Sequence, residues 1–446
     1  MNININENLE KKDYRNLFLI FSLIYTLIII SLFVPIFAYI VFIVSGIFIF
    51  SLKLKYSIPI LFYLLPFSGI MKYSSDSPSF FSYLIIIFIF IFFLRNINTR
   101  FKYKNFIALF IFIIINCLNN FDIIRMLNII IGSIVLFIIL YKMTDSFYKY
   151  IIIIFAISIL LSSIIAIFEP YIPRLDYLLR FIPYWTEEGI KTFRFCGLEG
   201  DPNYYAVNII LILTALNVLL YKNHIKERVY YLLTIPLILF GFLTLSKSFI
   251  IMLFLYFVMY IIMIFKKDKI KSIYILFFIF LLTIIGINVI GFNVIILTIN
   301  RLIGGFSNGL DLNILLTGRL VIWENYWLSI NESIFTLLFG HGLKASYYLG
   351  VASHSIYFES LYHFGFIGTF LLIINFILIS HIVKKKFTNK LYLYSPMVFL
   401  LILLIALDML KTDKIYFYLS LVISVLYVQD NTNNKVLSEK FLVLKV

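Results

Sequence analysis

Long apolar stretches alternate with short polar segments along almost the whole chain. A helix that crosses a lipid bilayer needs about 20 mostly apolar residues, so each stretch is a candidate span. The pattern predicts an all-α, polytopic integral membrane protein, a single transmembrane domain over residues 1–446 with about 12–14 transmembrane helices. Whether Val34 and Pro35 separate two helices or kink one stays open at this stage. The predicted spans are 17–34, 35–52, 57–71, 80–94, 105–118, 126–141, 149–168, 203–221, 229–245, 249–265, 273–298, 354–381, 391–409 and 415–428.

The composition agrees with this fold and excludes several classes of protein. Apolar residues make up 62% of the 446 residues and charged residues only 13%, whereas a soluble domain carries about 25% charged residues. A soluble enzyme and a disordered chain are therefore excluded. The net charge of +15 does not indicate a nucleic-acid partner, because the basic residues stand in short runs between apolar segments. Two cysteines, Cys117 and Cys196, are too few for a disulfide framework or a structural zinc site, and both are interpreted as small apolar residues.

The basic residues also predict how the chain is oriented. Of the 37 lysines and arginines, 25 fall at the termini and in the loops that would share a side with them. Basic residues mark the cytoplasmic side of membrane proteins, and the densest runs are Lys266–Lys269 and Lys384–Lys386. The sequence therefore predicts a multi-pass protein of the cytoplasmic membrane with both termini in the cytoplasm.

Two connections are much longer than the others, and both fall on the predicted outer side. They span residues 169–202 and 300–353, and loops of this length are commonly functional. The second loop contains apolar and aromatic residues at helical spacing, which predicts an amphipathic helix. Its tryptophans favour a position on the outer leaflet. The residues that carry the spacing are Arg319, Ile322, Trp323, Tyr326, Trp327 and Ile330.

Polar clusters beside a membrane are candidate functional sites, because polar groups are costly in lipid. The first cluster runs from Arg194 to Ala206, where Asp201 stands before Pro202 and predicts the N-cap of the next span. A capping role alone would explain Asp201. The second cluster places Lys247 between two spans, where it would either contact an anion or reach for the lipid headgroups.

The other two clusters contain an arginine and a histidine. Arg319 opens the amphipathic helix, where a cation opposes the helix dipole unless an anion lies nearby. His354 stands at the start of the twelfth span, beyond the turn around His341. The helix dipole and partial burial both lower a histidine pKa there, which favours the neutral imidazole that a general base requires. Glu359 and His363 lie four residues apart on one helix face and are expected to pair.

Four motifs in this order resemble the O-antigen ligase and O-antigen (capsule) polymerase superfamily of bacterial polytopic membrane glycosyltransferases. The motifs extend from residue 194 to residue 368, and the flanking spans match only as apolar helices. Two departures stand out, since Lys247 replaces the usual arginine and Ser355 the commoner asparagine. The matching stretches are Gly197–Ala206, Leu243–Ser248, Thr317–Trp323, and Gly340–Gly342 with His354, Ser355 and Gly365–Gly368.

The resemblance implies an enzyme that uses a polyprenyl-pyrophosphate donor. Such enzymes pass an undecaprenyl-pyrophosphate-linked glycan to the hydroxyl of another lipid-linked repeat at the outer leaflet, without a metal or other cofactor. Arg319 and His354 would be catalytic, the arginine at the departing pyrophosphate and the histidine as base. One displacement would invert the anomeric carbon. Residues that would bind the pyrophosphate or glycan are Lys247, Arg194, Asp201, Glu199 and Asn203.

Other interpretations stay open. The resemblance also implies two protein partners besides membrane lipid, a flippase and a chain-length regulator of the same pathway. A ligase-type enzyme, which transfers the glycan to a different lipid or wall acceptor, is not separated from a polymerase by the sequence. A flippase for lipid-linked oligosaccharides would need charged residues along a path through the membrane, and the polar clusters instead gather on the outer side. A structural membrane protein whose long loops bind a partner is the remaining alternative.

Overall fold

The computed structural model describes residues 2–96, 103–142, 145–179, 184–187, 190–267, 318–346, 350–381, 394–407, 412 and 414–425. The predicted span 273–298, the basic run 384–386 and residues 300–317 of the second long loop lie outside these ranges. Every predicted span within them contains a helix.

The helices are numbered here in chain order. They are α1 (Asn2–Phe33), α2 (Phe37–Ser51), α3 (Leu54–Leu64), α4 (Phe80–Arg95), α5 (Ile107–Cys117), α6 (Ile123–Lys142), α7 (Asp145–Ile167), α8 (Pro173–Leu179), α9 (Pro202–Tyr221), α10 (Glu227–Leu243), α11 (Lys247–Lys267), α12 (Arg319–Ile330), α13 (Ile334–Phe339), α14 (Ile356–Ser380), α15 (Ser395–Leu403) and α16 (Lys414–Ser424). The first long loop adds a β-hairpin of β1 (Tyr184–Glu187) and β2 (Ile190–Phe193), paired antiparallel with Tyr184 opposite Phe193.

The length and apolar character of these helices make the chain a membrane protein. Six described helices could each cross a bilayer, and five shorter apolar helices accompany them. The prediction of an all-helical, polytopic membrane protein is therefore confirmed, and the short hairpin is an addition to it. The six long segments are Asn16–Phe33, Ile123–Lys142, Phe147–Ile167, Pro202–Tyr221, Lys247–Phe265 and Ile356–Ser380.

The first two spans are separate helices. The chain turns over Val34–Ile36, and α1 and α2 pack against each other. The amide of Phe37 donates to the carbonyl of Val34 at 3.0 Å, which closes the turn. The question left open by the sequence is thus answered in favour of a hairpin.

Helix α9 lies at the centre of the bundle. Every residue from Tyr205 to Leu219 is buried, and α7, α10, α11, α15 and α16 all pack against it. A helix that is apolar on all sides is expected in such a central position. The polar segment that precedes α9 is therefore held by the most enclosed helix described.

Contacts between distant segments bring the long loops to one end of the bundle. The amide of Phe195 in the first loop donates to the carbonyl of Leu243, at the end of α10, at 2.9 Å. The side chain of Asn119, after α5, donates to the carbonyl of Gly340 at 3.0 Å. At the other end, Arg95 donates to the backbone carbonyls of Phe50 and Leu52, where α2 ends. All four predicted polar clusters therefore share one end.

Glycines allow a close crossing next to this end. Helix α14 kinks at Gly365, where φ is +63°, and a Cβ there would lie 2.4 Å from the carbonyl oxygen of Leu338. A Cβ on Gly340, where φ is +73°, would lie 2.5 Å from the carbonyl oxygen of His363. The crossing is closed by backbone hydrogen bonds from His341 to Tyr362 (2.8 Å) and from Gly342 to His363 (3.0 Å). The two glycine-containing stretches of the fourth motif thus meet here.

We expect the substitution Gly365→Ala to destabilise the protein by about 2–5 kcal/mol, because the left-handed backbone is strained for alanine and the new methyl group overpacks the crossing. Gly350 is a matched control: its φ is +72°, but a Cβ there would meet nothing within 4 Å, so Gly350→Ala should cost only about 1–2 kcal/mol. Thermal unfolding of the purified variants in detergent measures both. Equal losses for the two variants would contradict the close crossing.

Candidate active site

Asp201 forms the N-cap of α9, as predicted. Its Oδ1 accepts hydrogen bonds from the backbone amides of Asn203 at 2.6 Å and Tyr204 at 3.3 Å. Pro202 occupies the first helical position, where no amide hydrogen is needed. The second oxygen of the carboxylate is not used by these two bonds, and the negative charge lies at the end of the bundle that carries both long loops.

Arg319 is brought near this carboxylate from the second long loop. It is half-buried at the first position of α12, after Gly318 with φ +76°. Burial lowers the pKa of its guanidinium, and Asp201 acts in the opposite direction. The anion that a cation at a helix N-terminus requires is therefore supplied by Asp201, from a segment more than a hundred residues earlier in the chain.

The predicted amphipathic helix is present as α12, but one of its tryptophans faces inward. The indole of Trp323 stacks on Phe358 of α14 with ring centroids 5.6 Å apart and donates to the carbonyl of Ser353 at 3.0 Å. Trp327, 44% exposed, lies on the outer face with Leu328. Trp323 thus fastens the segment around His354, and the position of α12 on the outer leaflet stays a prediction.

His354 lies on that segment in an unusual backbone conformation. Its φ is +52°, and Ser355, not His354, is the N-cap of α14. Although His354 is exposed, desolvation lowers the pKa of its imidazole and Arg319 lowers it further, while Asp201 and Glu359 act in the opposite direction. The predicted lowering of the His354 pKa agrees with this, so the ring is mainly neutral at neutral pH.

The second predicted cluster joins the start of α9. The hydroxyl of Ser246 donates to Oδ1 of Asn203 at 2.8 Å, and Nε of Arg194 donates to the carbonyl of Thr244 at 3.0 Å. Lys247 follows directly as the first residue of α11 and is half-buried. The structure therefore places Arg194, Asn203 and Lys247 around one junction.

Glu199 makes its contacts inside the protein. Its side chain is 3% exposed and pairs with the ammonium group of Lys414 at the start of α16, and its Oε1 accepts from Nδ2 of Asn208 at 2.8 Å. Sequence reasoning missed Lys414, although this lysine opens a span on the predicted outer side, as Lys247 does. The proposed contact of Glu199 with a glycan stays a prediction.

The chemistry of the site is that of an imidazole and cations arranged around carboxylates. Cys196 is buried beside it, and burial, with Asp201 acting in the same direction, raises the pKa of its thiol to about 12, so the thiol stays protonated. Cys117 is exposed on α5. Within the described ranges, no three histidine, cysteine or acidic side chains come close enough to share a metal ion. The arrangement can bind an anion and accept a proton.

Comparison with protein-family models, curated proteins and solved structures finds no match to this chain. The functional argument accordingly depends on the site itself, whose central residues are Asp201, Arg319 and His354.

Asp201 and Arg319 should shift the pKa of His354 in opposite directions. Asp201→Asn removes a negative charge that favours the imidazolium, so the pKa should fall; Arg319→Gln removes a positive charge, so it should rise. Asparagine caps helices as well as aspartate does, and stability should change by only a few tenths of a kcal/mol. The measurement is the pH dependence of carbethoxylation of His354 by diethyl pyrocarbonate, read by peptide mass spectrometry. A shift in the same direction for both variants would contradict the arrangement.

Proposed function

We propose that the protein is a polysaccharide polymerase of the bacterial cell envelope. It transfers an undecaprenyl-pyrophosphate-linked glycan to a hydroxyl of another lipid-linked repeat at the outer leaflet. The observation that carries the proposal is the meeting of Arg319 and His354 beside Asp201 at one end of a membrane-embedded helical bundle. A lipid-borne substrate requires such a site, with its reactive groups at the membrane surface.

The cations suit a pyrophosphate leaving group. As the glycosidic C–O bond to the pyrophosphate breaks, negative charge develops on the departing oxygen, and fixed cations stabilise it. Arg319 is half-buried at a helix N-terminus, and its planar guanidinium can bind a phosphate through two hydrogen bonds. The ammonium group of Lys247 supplies a compact positive charge but not the paired hydrogen bonds of a guanidinium. Asp201 compensates the charge of Arg319 when no substrate is bound.

His354 suits the role of the base. Its lowered pKa leaves the imidazole neutral and able to accept the proton of the acceptor hydroxyl. The hydroxyl oxygen then attacks the anomeric carbon while the pyrophosphate leaves with the bonding electrons, so the configuration inverts. The imidazolium that forms is favoured by Asp201, which raises the pKa of His354. The same carboxylate thus serves the resting and the protonated state.

The orientation in the membrane is part of the proposal. The excess of basic residues at the termini and in the loops of the opposite end supports cytoplasmic termini and a site on the outer face. A ligase-type transfer to a different acceptor uses the same groups and is the second candidate. A flippase is less well supported, because Arg319, Lys247 and His354 share one end of the bundle and do not follow a path across it.

Purified protein in liposomes, supplied only with lipid-linked repeats, should extend them into polymer. His354→Ala should lower the rate by about 10²–10⁴-fold, the usual contribution of a general base, with product length read on a gel. His381→Ala is the matched control, because His381 caps the far end of α14 and should leave the rate unchanged.

The outcomes separate the candidates. Wild-type polymer from the His354→Ala variant would remove His354 from the mechanism. No extension of the repeats by the wild-type protein, with transfer restored by a different acceptor, would favour the ligase.

A further inference from the structure

We propose that the buried pair of Glu359 and His363 positions His354 by clamping the segment of residues 353–355. This inference rests on the proposed function, since it treats His354 as the base. The pair lies inside the first turns of α14, and its side chains are 0% and 1% exposed. Nε2 of His363 and Oε1 of Glu359 are 3.0 Å apart, so the pairing predicted from their spacing is confirmed.

The hydrogen-bond partners define how many protons the pair holds. Nδ1 of His363 lies 2.9 Å from the carbonyl oxygen of Gly342, and a carbonyl can only accept, so Nδ1 carries a hydrogen. A second hydrogen must lie between Nε2 and Oε1 of Glu359. The pair is therefore neutral as a unit, either as imidazolium with carboxylate or as imidazole with carboxylic acid. A neutral unit with all its hydrogen bonds made is what burial demands.

The other oxygen of Glu359 fastens the segment that carries His354. The hydroxyl of Ser353 lies 3.1 Å from Oε2 of Glu359 and also accepts the amide hydrogen of Ser355 at 3.2 Å. From the opposite side, the indole of Trp323 donates to the carbonyl of Ser353. Ser353 is thus bound to side chains on two packed helices, and its hydroxyl also holds the backbone of Ser355.

His354 needs this support because its backbone is strained. A non-glycine residue at positive φ costs of order 1–3 kcal/mol and persists only where the surroundings impose it. With a φ of +52°, the side chain of His354 points in a different direction from that of a residue in the usual backbone conformation before a helix. Without the contact between Ser353 and Glu359, the segment could relax, and the imidazole would no longer face Asp201 and Arg319.

The pair also joins the two ends of the segment between α13 and α14. His363 contacts Gly342 and Glu359 contacts Ser353, so one buried unit connects the turn after α13 to the segment before α14. For stability alone, well-packed apolar side chains would serve as well or better than a buried ionisable pair. The hydrogen bonds toward both ends of this segment indicate that the pair fixes its geometry.

Three variants separate positioning from general packing. Glu359→Leu removes both hydrogen bonds and keeps the volume, while Glu359→Gln can donate to His363 and accept from Ser353, keeping both. Ser353→Ala leaves the Glu359–His363 pair in place and removes the link to Glu359 together with the local bonds of the Ser353 hydroxyl to the backbone of Ser355. Asn375→Leu is the matched control. Asn375 lies in the distal half of α14 and makes a buried hydrogen bond with Ser133 of α6.

Two readouts are measured on each purified variant. The first is kcat and KM for extension of lipid-linked repeats. The second, independent of activity, is the pH profile and rate of carbethoxylation of His354, on which Arg319, Asp201 and Glu359 all act. We expect Glu359→Leu and Ser353→Ala to lower kcat, by up to about 10²-fold as for misplaced catalytic groups, with KM little changed and the His354 profile altered. Asn375→Leu should match the wild type in both readouts. Glu359→Gln should keep kcat and KM close to the wild type, while the His354 profile shifts toward lower pH, because the charge of Glu359 that raises the His354 pKa is removed.

The results that overturn the proposal are distinct from those that overturn the proposed function. An unaltered His354 profile in Ser353→Ala, which keeps the charge of Glu359, would end the positioning role, as would a Glu359→Gln variant whose kcat falls as far as that of Glu359→Leu. If the profile changes as expected but His354→Ala still makes polymer, positioning stands and the role of His354 as base falls.

Discussion

The carboxylate of Asp201 caps the central helix α9 and also lies within electrostatic reach of Arg319 and His354. These two roles depend on each other. The cap fixes the carboxylate to the most buried helix described, so its charge is held at a defined place. That fixed charge then allows a guanidinium to stand at the start of α12, where the helix dipole alone would disfavour it. The proposed pyrophosphate site exists because this one anion compensates the cation that a substrate would later bind.

The bilayer explains why the site is built at an end of the bundle. Within the hydrocarbon region each polar group must find a partner in the protein, and Glu359 and His363 meet this demand by pairing with each other. Nearer the surface, Arg319 and His354 keep part of their side chains accessible. A polyprenol-linked substrate needs both surroundings, because its tail lies in lipid while its pyrophosphate and sugar lie in water. In the proposed mechanism, the residues that hold the structure are therefore buried, and the residues that contact the substrate lie near the membrane surface.

Local patterns predicted much of this structure, and long-range contacts supplied the rest. Hydrophobic stretches predicted the helices, the Asp201–Pro202 dipeptide predicted the cap, and the spacing of Glu359 and His363 predicted their pair, because each of these signals acts within a few turns of one helix. The pairing of Glu199 with Lys414 joins residues 215 positions apart, and no periodicity indicates it. The inward position of Trp323 and the kink at Gly365 likewise depend on the packing of α14 against α12 and α13. The hairpin in the first long loop is too short for alternation to reveal.

The most direct test of the account is a cryo-electron microscopy structure of the protein in lipid nanodiscs with undecaprenyl pyrophosphate bound. The account predicts pyrophosphate density in contact with the Arg319 guanidinium and the Lys247 ammonium group, with the imidazole of His354 facing the position of the sugar. Density at the opposite end of the bundle, or at a place out of reach of Arg319 and His354, would contradict it.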